Sequence, residues 1–391
     1  MLKKNGSGYN EPINNWRFSV NLVKKGLLAF SSLLLLNNCN SEVNTTLNQE
    51  NSIYQSQSRE DIGGNVYETF HISPNLPKAK GERLAVKLTY LMNDDEAHQS
   101  PWSGKMLLMM DDIQQKNVHN IVFRDGGKIG DSMLYYLQGG KEAEKFESPY
   151  SFLADGVTEV QSNNPRLFSR IVEWTFDNFP GKRKYLQIYT HGGGVFGIGM
   201  DAHQTDLMAK PLAKEENIHL ITPQKFSEAL KQGLKGRKLD LVYFRACLMG
   251  NMEALYDLRG VVKFVLASED VSYSKENSNI VMTQMFEDLT AKNTEPNEIA
   301  YQMAIQGHGK TGASDGYTTF AAFNMDKIDE LKTAINQLAL TLKNSLNTEK
   351  DEILSAYDAV STIKGLQTPE KRTEHMRDLW RFTSELEKRV K

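Results

Sequence analysis

From about Glu82 onward, short apolar runs alternate with amphipathic helical patterns, and this alternation limits the folds open to the chain. Strand patterns occupy 83–92, 119–126, 184–190, 239–246 and 263–270. Helical patterns occupy 104–116, 163–180, 222–236 and 249–260. Strands that alternate with helices predict an α/β fold with a mainly parallel sheet flanked by helices. Residues 325–391 have helical patterns and are predicted to form a C-terminal helical region.

The composition is typical of a globular protein large enough to hold an enzyme domain. The chain has 391 residues, of which 40% are hydrophobic and 24% are charged. A formal net charge of −3 provides no broad cationic field, so nucleic acid is not expected as a partner. The two cysteines, Cys39 and Cys247, are too few for a disulfide framework or a multi-cysteine zinc site.

The N-terminal region has the layout of a signal peptide. Lys24 and Lys25 precede the apolar run GLLAFSSLLLL, which ends at NNCN. The run is too short for a transmembrane helix, which needs about 20 apolar residues. It resembles a bacterial lipoprotein signal in which Cys39 is lipidated, although Asn37 and Asn38 stand where small residues are expected. The alternative is a plain secretory signal in which this cysteine has no role.

These patterns predict an exported protein that is held at the cell envelope. We expect residues 1–38 to be a lipoprotein signal and residues 39–81 to be a polar tether, because the tether is too poor in apolar residues to fold alone. One acyl chain anchors a protein only marginally, so two or three chains on Cys39 are implied. We therefore expect the protein to be attached to a bacterial membrane through this lipid anchor.

Two of the predicted strands end at residues that can carry chemistry. His191 follows the strand pattern at 184–190 and precedes three glycines, while Cys247 follows the pattern at 239–246 and precedes a helical pattern. In an open parallel sheet, functional groups collect where strands end and helices begin. A helix N-terminus favours a thiolate, and a nearby imidazole can take up the thiol proton and return it to a leaving amine.

Three segments around these residues resemble the clostripain family of cysteine peptidases, which has a caspase-like fold in common with caspases, legumain and gingipains. The segments are YTHGGGVFGIGMD at 189–201, ACLMGNMEALYDLR at 246–259 and VLASED at 265–270. The resemblance extends from about Leu84 to Phe323 and implies a caspase-like peptidase domain over 82–324. His191 also lies 56 residues before Cys247, close to the spacing of about 50 residues found in caspases.

The resemblance implies roles for individual residues. His191 would be the general acid and base, Cys247 the nucleophile, and the backbone N–H groups of Gly192 and Cys247 the oxyanion hole. Glycine suits this place because it lets the backbone approach a substrate carbonyl closely, and fixed N–H donors stabilise the charge that develops there. The implied partner is a protein or peptide substrate. No cofactor is expected from the residues themselves, and calcium is suggested by the resemblance alone, since no calcium-loop spacing is present.

Arg245 stands where relatives that cleave after arginine or lysine carry an aspartate in the specificity pocket. The side chains of residues i and i+2 of a strand point to the same face of the sheet, so Arg245 is expected beside Cys247. A guanidinium there repels basic side chains and can bind a carboxylate, which predicts a preference for acidic or neutral residues before the scissile bond. In an equally weighted alternative, Arg245 pairs with Glu269 or Asp270 and leaves the pocket uncharged.

A polar segment at 201–219 is the candidate site for processing between the two dyad residues. Basic specificity predicts a cut at Lys210 or Lys214, and acidic specificity predicts a cut at Glu215 or Glu216.

Two weaker patterns do not indicate sites. GHGKTG at 307–312 lacks the leading glycine of a phosphate-binding loop and is predicted to be an ordinary loop. His203, His219 and His308 lack the spacing of a helical metal motif, so no metal site is predicted.

The sequence therefore predicts an exported cysteine endopeptidase. The alternative from another class is a non-catalytic, caspase-like surface module that binds a partner, because a fold alone does not determine activity.

Overall fold

The computed structural model describes the chain in segments: residues 79, 81–94, 110, 117–127, 132–137, 144–146, 160–199, 220–270, 272, 276–310, 319–360 and 377–390. The predicted signal, nearly all of the tether, the processing segment and, except for Met110, the helical pattern at 104–116 lie outside these residues. The described residues divide into two units, one that runs to Asp329 and one that comprises 330–360 and 377–390.

The first unit is built on a mixed sheet of eight strands in the order β4-β3-β2-β1-β5-β6-β7-β8. The strands β2, β1, β5, β6 and β7 run parallel, and antiparallel strands lie at both edges. The mainly parallel sheet predicted from the sequence is therefore confirmed. The strands are β1 (Arg83–Met92), β2 (Val118–Asp125), β3 (Met133–Leu137), β4 (Glu144–Phe146), β5 (Gly181–Tyr189), β6 (Leu239–Arg245), β7 (Val262–Ser268) and β8 (Phe320–Asn324).

Two of the helices begin where proline and a capping side chain place them. Asn164 accepts a hydrogen bond from the N–H of Arg166 at 2.8 Å, just before Pro165 starts α1. Thr222 accepts one from the N–H of Lys225 at 3.3 Å at the start of α2. Proline preforms the first helical turn and the cap satisfies an unpaired donor. The helices of this unit are α1 (Pro165–Asn178), α2 (Pro223–Leu234), α3 (Met252–Tyr256), α4 (Glu276–Ala291) and α5 (Pro296–Lys310).

The last turn of α5 includes residues 307–310, so the first four residues of GHGKTG are helical and not part of a loop. A glycine in a helix costs only about 1 kcal/mol relative to alanine, which the rest of a helix of this length can offset.

Helices pack on both faces of the sheet because alternate residues of the central strands point to opposite sides. On one face, the ring of Phe226 from α2 stacks on Phe168 from α1 at 4.9 Å and lies 5.7 Å from Phe244 of β6. On the other face, α4 and α5 cover a cluster that includes Leu241 and Tyr243 of β6. Residues 241, 243 and 245 therefore point toward α4, and residues 242 and 244 point toward α1 and α2.

A buried ion pair lies between the sheet and α4. Lys87 of β1 pairs with Glu287 of α4, and both side chains are fully buried. Asn120 of β2 also donates to Glu287 at 3.5 Å. Burial lowers the pKa of Lys87 well below its ordinary value, because a cation is poorly solvated in the core. The pair attaches α4 to the sheet at one fixed position.

The second unit is helical, which agrees with the helical patterns in the C-terminal sequence. It contains most of α6 (Ile328–Ser345), together with α7 (Lys350–Asp358) and α8 (Leu379–Arg389). Within the described ranges of the chain, none of the helices is long and apolar enough to span a bilayer. The core of this second unit consists of Leu342, Ile353, Ala356, Val360, Phe382 and Leu386.

Candidate active site

Strand register brings the predicted dyad residues to the same level of the sheet. Strands β5 and β6 run parallel, and Tyr189 is the register partner of Arg245. The N–H of Thr190 continues this pairing with a hydrogen bond of 3.3 Å to the carbonyl of Arg245. His191 and Cys247 each lie two residues beyond these last partners. The two residues therefore leave adjacent strands at the carboxyl edge of the sheet, where functional sites of such sheets form.

The backbone after His191 lies directly against Cys247. A Cβ atom placed on Gly192 would be 2.1 Å from the carbonyl oxygen of Cys247 and 3.0 Å from its nitrogen. Real Cβ contacts are not this short, so a side chain at position 192 would push the two segments apart. Glycine is the residue that allows this approach. His191 directly precedes the glycine that makes this contact with the backbone of Cys247.

The glycine-rich segment after His191 folds back as a compact loop. The N–H of Gly193 donates to the carbonyl of Gly197 at 2.8 Å, and the N–H of Gly199 donates to the carbonyl of His191 at 3.0 Å. Ile198 then forms a pair of backbone hydrogen bonds with Ile221 at 2.8 and 2.9 Å. Gly197 has a φ of +125°, a value that side chains disfavour. The loop is thus held by its own backbone beside His191.

Two backbone N–H groups at the strand ends stand apart from the backbone hydrogen bonds of the described residues around them. The neighbouring donors are engaged, since Gly193 donates to Gly197 at 2.8 Å and Leu248 donates to the carbonyl of Asp270 at 3.2 Å. By contrast, in the part of the chain that the structure describes, the N–H groups of Gly192 and Cys247 donate to no backbone carbonyl, and the N–H of Cys247 has its own sulfur as a partner. These are the two donors that the resemblance assigns to an oxyanion hole.

The helix expected directly behind Cys247 begins later than the sequence suggests. Helix α3 starts at Met252, after Asn251, whose side chain accepts from the N–H of Ala254 at 2.8 Å. It has five residues and starts five positions after Cys247, whereas the effect of a helix dipole is confined to the first turn. The expected stabilisation of a thiolate by a helix N-terminus is therefore wrong for Cys247.

Burial instead raises the pKa of the Cys247 thiol, and the nearby charge of Asp270 acts in the same direction. Hydrogen bonds from the backbone N–H groups of Ser272 and of Cys247 itself act against this shift without reversing it. The raised pKa favours the neutral thiol over the thiolate, so a base has to remove the proton for the sulfur to attack a substrate.

We expect Cys247 to react slowly with iodoacetamide at neutral pH, because only the thiolate is nucleophilic. In a Cys39→Ser background, the alkylation rate of the folded protein should rise with pH through a midpoint higher than that of the same chain unfolded in urea. The unfolded chain is the control, since its cysteine has an ordinary pKa near 8.5. Mass spectrometry of the modified peptide measures both rates. A rate that is already at its plateau at pH 6 would instead show a preformed thiolate.

Leu248, the residue after Cys247, has a left-handed backbone conformation that the sequence does not reveal. Its φ is +63°, and its side chain is buried. Such a conformation costs of order 1–3 kcal/mol for a residue other than glycine. It is held by the hydrogen bond to Asp270 and by a bond of 2.5 Å from the Asn251 amide to the carbonyl of Leu248. This left-handed conformation sets the direction in which the chain continues after Cys247.

Arg245 is buried beneath α4, and only 5% of its surface is exposed. Its Nη1 donates to Oγ1 of Thr283 at 2.9 Å, and its guanidinium carbon lies 5.2 Å from the ring centre of Tyr189 and 5.9 Å from that of Tyr243. Burial raises the pKa of Tyr243 to about 12, while the charge of Arg245 acts in the opposite direction. The phenol therefore stays neutral, and aromatic faces stabilise the cation. Thr283 belongs to no recognisable motif, so the sequence alone could not identify it as a partner of Arg245.

Glu269 and Asp270 follow the end of β7 and are held through their backbones. The N–H of Glu269 donates to the carbonyl of Thr319 at 3.1 Å, and that of Asp270 donates to Oγ1 of Thr319 at 2.8 Å. Both residues are half-buried near the strand end that leads to the site. Asp270 lies close enough to Cys247 for its charge to affect the thiol.

Metal ligands do not converge in this region. Among the residues that the structure describes, no group of three or more His, Cys, Asp or Glu side chains is arranged to hold an ion. The structure therefore identifies no residues for the calcium that the resemblance suggests.

A sequence profile described as the clostripain family matches residues 90–388. The chain resembles the structure of a secreted C11 cysteine protease from Bacteroides thetaiotaomicron bound to an irreversible peptide inhibitor, with a TM-score of 0.54 and 15% identity over 78% of each chain. An inactive zymogen C11 protease from Parabacteroides distasonis is similar with a TM-score of 0.49 and 14% identity, over 79% of this chain and 82% of that one. No curated protein sequence matches the chain. The first of these structures confirms the caspase-like fold class.

Proposed function

The chain belongs to the clostripain family and is a cysteine endopeptidase, and we propose that it cleaves peptide bonds through a dyad of Cys247 and His191. The observation that carries this proposal is the strand register, which places both residues two positions beyond the paired Tyr189 and Arg245. The close contact between Gly192 and Cys247 supports it independently. The alternative of a non-catalytic binding module is not favoured, because the family match covers most of the chain.

The neutral thiol defines the order of proton transfers. The imidazole of His191 takes the proton from Sγ of Cys247 as the sulfur attacks the scissile carbonyl carbon. The resulting oxyanion accepts hydrogen bonds from the N–H groups of Gly192 and Cys247. The imidazolium then gives its proton to the leaving amine, and the C–N bond breaks to leave a thioester. Water, deprotonated by the same imidazole, hydrolyses the thioester and restores the thiol.

For specificity, we propose that the residue before the scissile bond is acidic or neutral. Arg245 precedes the nucleophile by two residues, and two tyrosine rings and the Thr283 hydroxyl keep its guanidinium in place. At this buried position, the charge of Arg245 repels a lysine or arginine of the substrate more strongly than it would in water. A substrate carboxylate would instead be attracted by the same charge.

We further propose that the protein is exported and anchored to a bacterial membrane through Cys39. Support comes from the basic flank and apolar run that precede this cysteine. A structural relative is likewise described as secreted.

A peptide library digested by the wild type and by Cys247→Ala tests the dyad and the specificity together. The wild type should cleave after acidic or neutral residues, and Cys247→Ala and His191→Ala should each lose this activity while keeping the wild-type melting temperature. Fastest cleavage after arginine or lysine would contradict the role proposed for Arg245. Unchanged cleavage by Cys247→Ala would contradict the dyad.

A further inference from the structure

Phe196 is a large apolar residue that is exposed beside the dyad. Its relative exposure is 40%, and it lies on the loop that follows His191. In the described segments of the chain, the other exposed large apolar side chains lie on α-helices: Tyr301, Ile305, Leu340, Leu354 and Trp380. Phe196 is thus the exposed apolar residue that belongs to the glycine loop of the site.

The loop holds Phe196 in a defined position. The N–H of Phe196 donates to the carbonyl of Gly193 at 3.2 Å, and that of Gly197 donates to the carbonyl of Gly194 at 3.1 Å. A Cβ atom on Gly194 would be 2.8 Å from the amide of Asn251, so the loop also packs tightly against the segment after Cys247. A side chain on such a support loses little conformational entropy on binding, which favours affinity.

The distance to the dyad fits a contact with bound substrate. The Cβ of Phe196 is 3.5 Å from the position that a Cβ on Gly193 would occupy. Consecutive Cα atoms are about 3.8 Å apart, so the Cβ of Phe196 is within about 9 Å of the Cα of Gly192. An extended peptide advances about 3.3 Å per residue. A substrate whose carbonyl lies in the proposed oxyanion hole and whose chain runs along this loop would therefore bring a side chain two or three residues away near Phe196.

We propose that Phe196 forms an apolar subsite that selects substrates with a bulky apolar side chain within three residues of the scissile bond. The inference rests on the proposed function, since it takes the dyad as the point at which the peptide is cleaved. Covering the exposed ring with an apolar side chain removes both surfaces from water, which is the main favourable term in such recognition. Charged and very small side chains at the same position would leave the ring exposed.

Positional-scanning peptide libraries compared between the wild type and Phe196→Ala test this subsite. For the wild type, one position near the scissile bond should favour Leu, Phe or Tyr over Ala and Asp. In Phe196→Ala, kcat/KM for peptides with the bulky residue should fall by about 10-fold or more, as for other apolar subsite contacts. Peptides with alanine at that position should change less than twofold. Tyr301→Ala, whose side chain has a similar exposure of 42% on α5, is the matched control and should keep the wild-type profile.

The outcomes separate this inference from the proposed function. If the wild type cleaves peptides through Cys247 but shows no apolar preference, or if Phe196→Ala retains that preference, the subsite is wrong and the dyad stands. If Cys247→Ala cleaves as fast as the wild type, the proposed function fails and this inference fails with it. Equal melting temperatures of the three proteins would confirm that the profiles reflect recognition and not unfolding.

Discussion

Replacing Gly192 by alanine should lower kcat/KM for peptide cleavage by about 100-fold or more. The added methyl carbon would come within 2.1 Å of the carbonyl oxygen of Cys247, and backbone atoms cannot move aside as a flexible side chain can. The two strand ends would separate, and the proposed oxyanion hole would lose its geometry. Loss of one such donor costs about 10²–10³ in kcat in other enzymes. Steady-state kinetics with a fluorogenic peptide measure the effect.

Gly193→Ala is the matched control for this change. A methyl carbon at position 193 would be 2.9 Å from the end of the Leu220 side chain, which can rotate away. We therefore expect a fall in kcat/KM of less than about threefold, since surface and flexible contacts rarely cost more than about 0.5 kcal/mol. Similar losses in the two variants would show that the loop tolerates no side chain anywhere and would remove the special role of Gly192.

Replacing Glu287 by alanine should destabilise the protein by about 3–5 kcal/mol, because the buried Lys87 side chain loses its carboxylate partner and is left unpaired or has to give up its proton. This is a large part of the 5–15 kcal/mol by which domains are usually stable. Urea unfolding followed by circular dichroism measures the loss. Activity should fall in parallel with the folded fraction, because α4 also carries the threonine that contacts Arg245.

Two further variants identify the cause of this loss. Glu295→Ala removes the carboxylate that pairs with Arg183, but this side chain is 69% exposed, so we expect a change below about 1 kcal/mol. The double variant Lys87→Met with Glu287→Leu removes both charges and should recover most of the stability lost by Glu287→Ala. A double variant as unstable as the single one would show that the volume of the side chains, and not the buried charge, explains the loss.

Regular elements with strong periodicity were predictable from the sequence. The first strand was predicted at 83–92 and has these bounds in the structure, and α2 lies within the helical pattern predicted at 222–236. The edge strand β8 and the left-handed Leu248 were not predicted. An antiparallel edge strand with a half-buried pattern has weak periodicity, and a left-handed leucine has no local signature. The short α3 was overestimated, because a helical pattern does not show where a strained loop delays the first turn.

The roles proposed for His191, Gly192 and Cys247 came from motifs and stay predictions, while the structure shows that their strands are neighbours. The partners of Arg245 were a different matter. From the sequence, Arg245 was equally suited to line a pocket or to pair with Glu269 or Asp270. The contacts of the guanidinium include Tyr189 and Thr283, on elements that are distant in the chain, and the choice between these two alternatives stays a prediction.

The sequence by itself determined the alternation of strands and helices and the residue types at the two strand ends, because periodicity and glycine clusters are local properties of a chain. Only the tertiary structure decided that β5 lies beside β6 in the register of Tyr189 with Arg245. It alone also decided that burial raises the pKa of the Cys247 thiol. The physical reason is that register and desolvation depend on which distant segments cover a residue, and that choice belongs to the packed core as a whole.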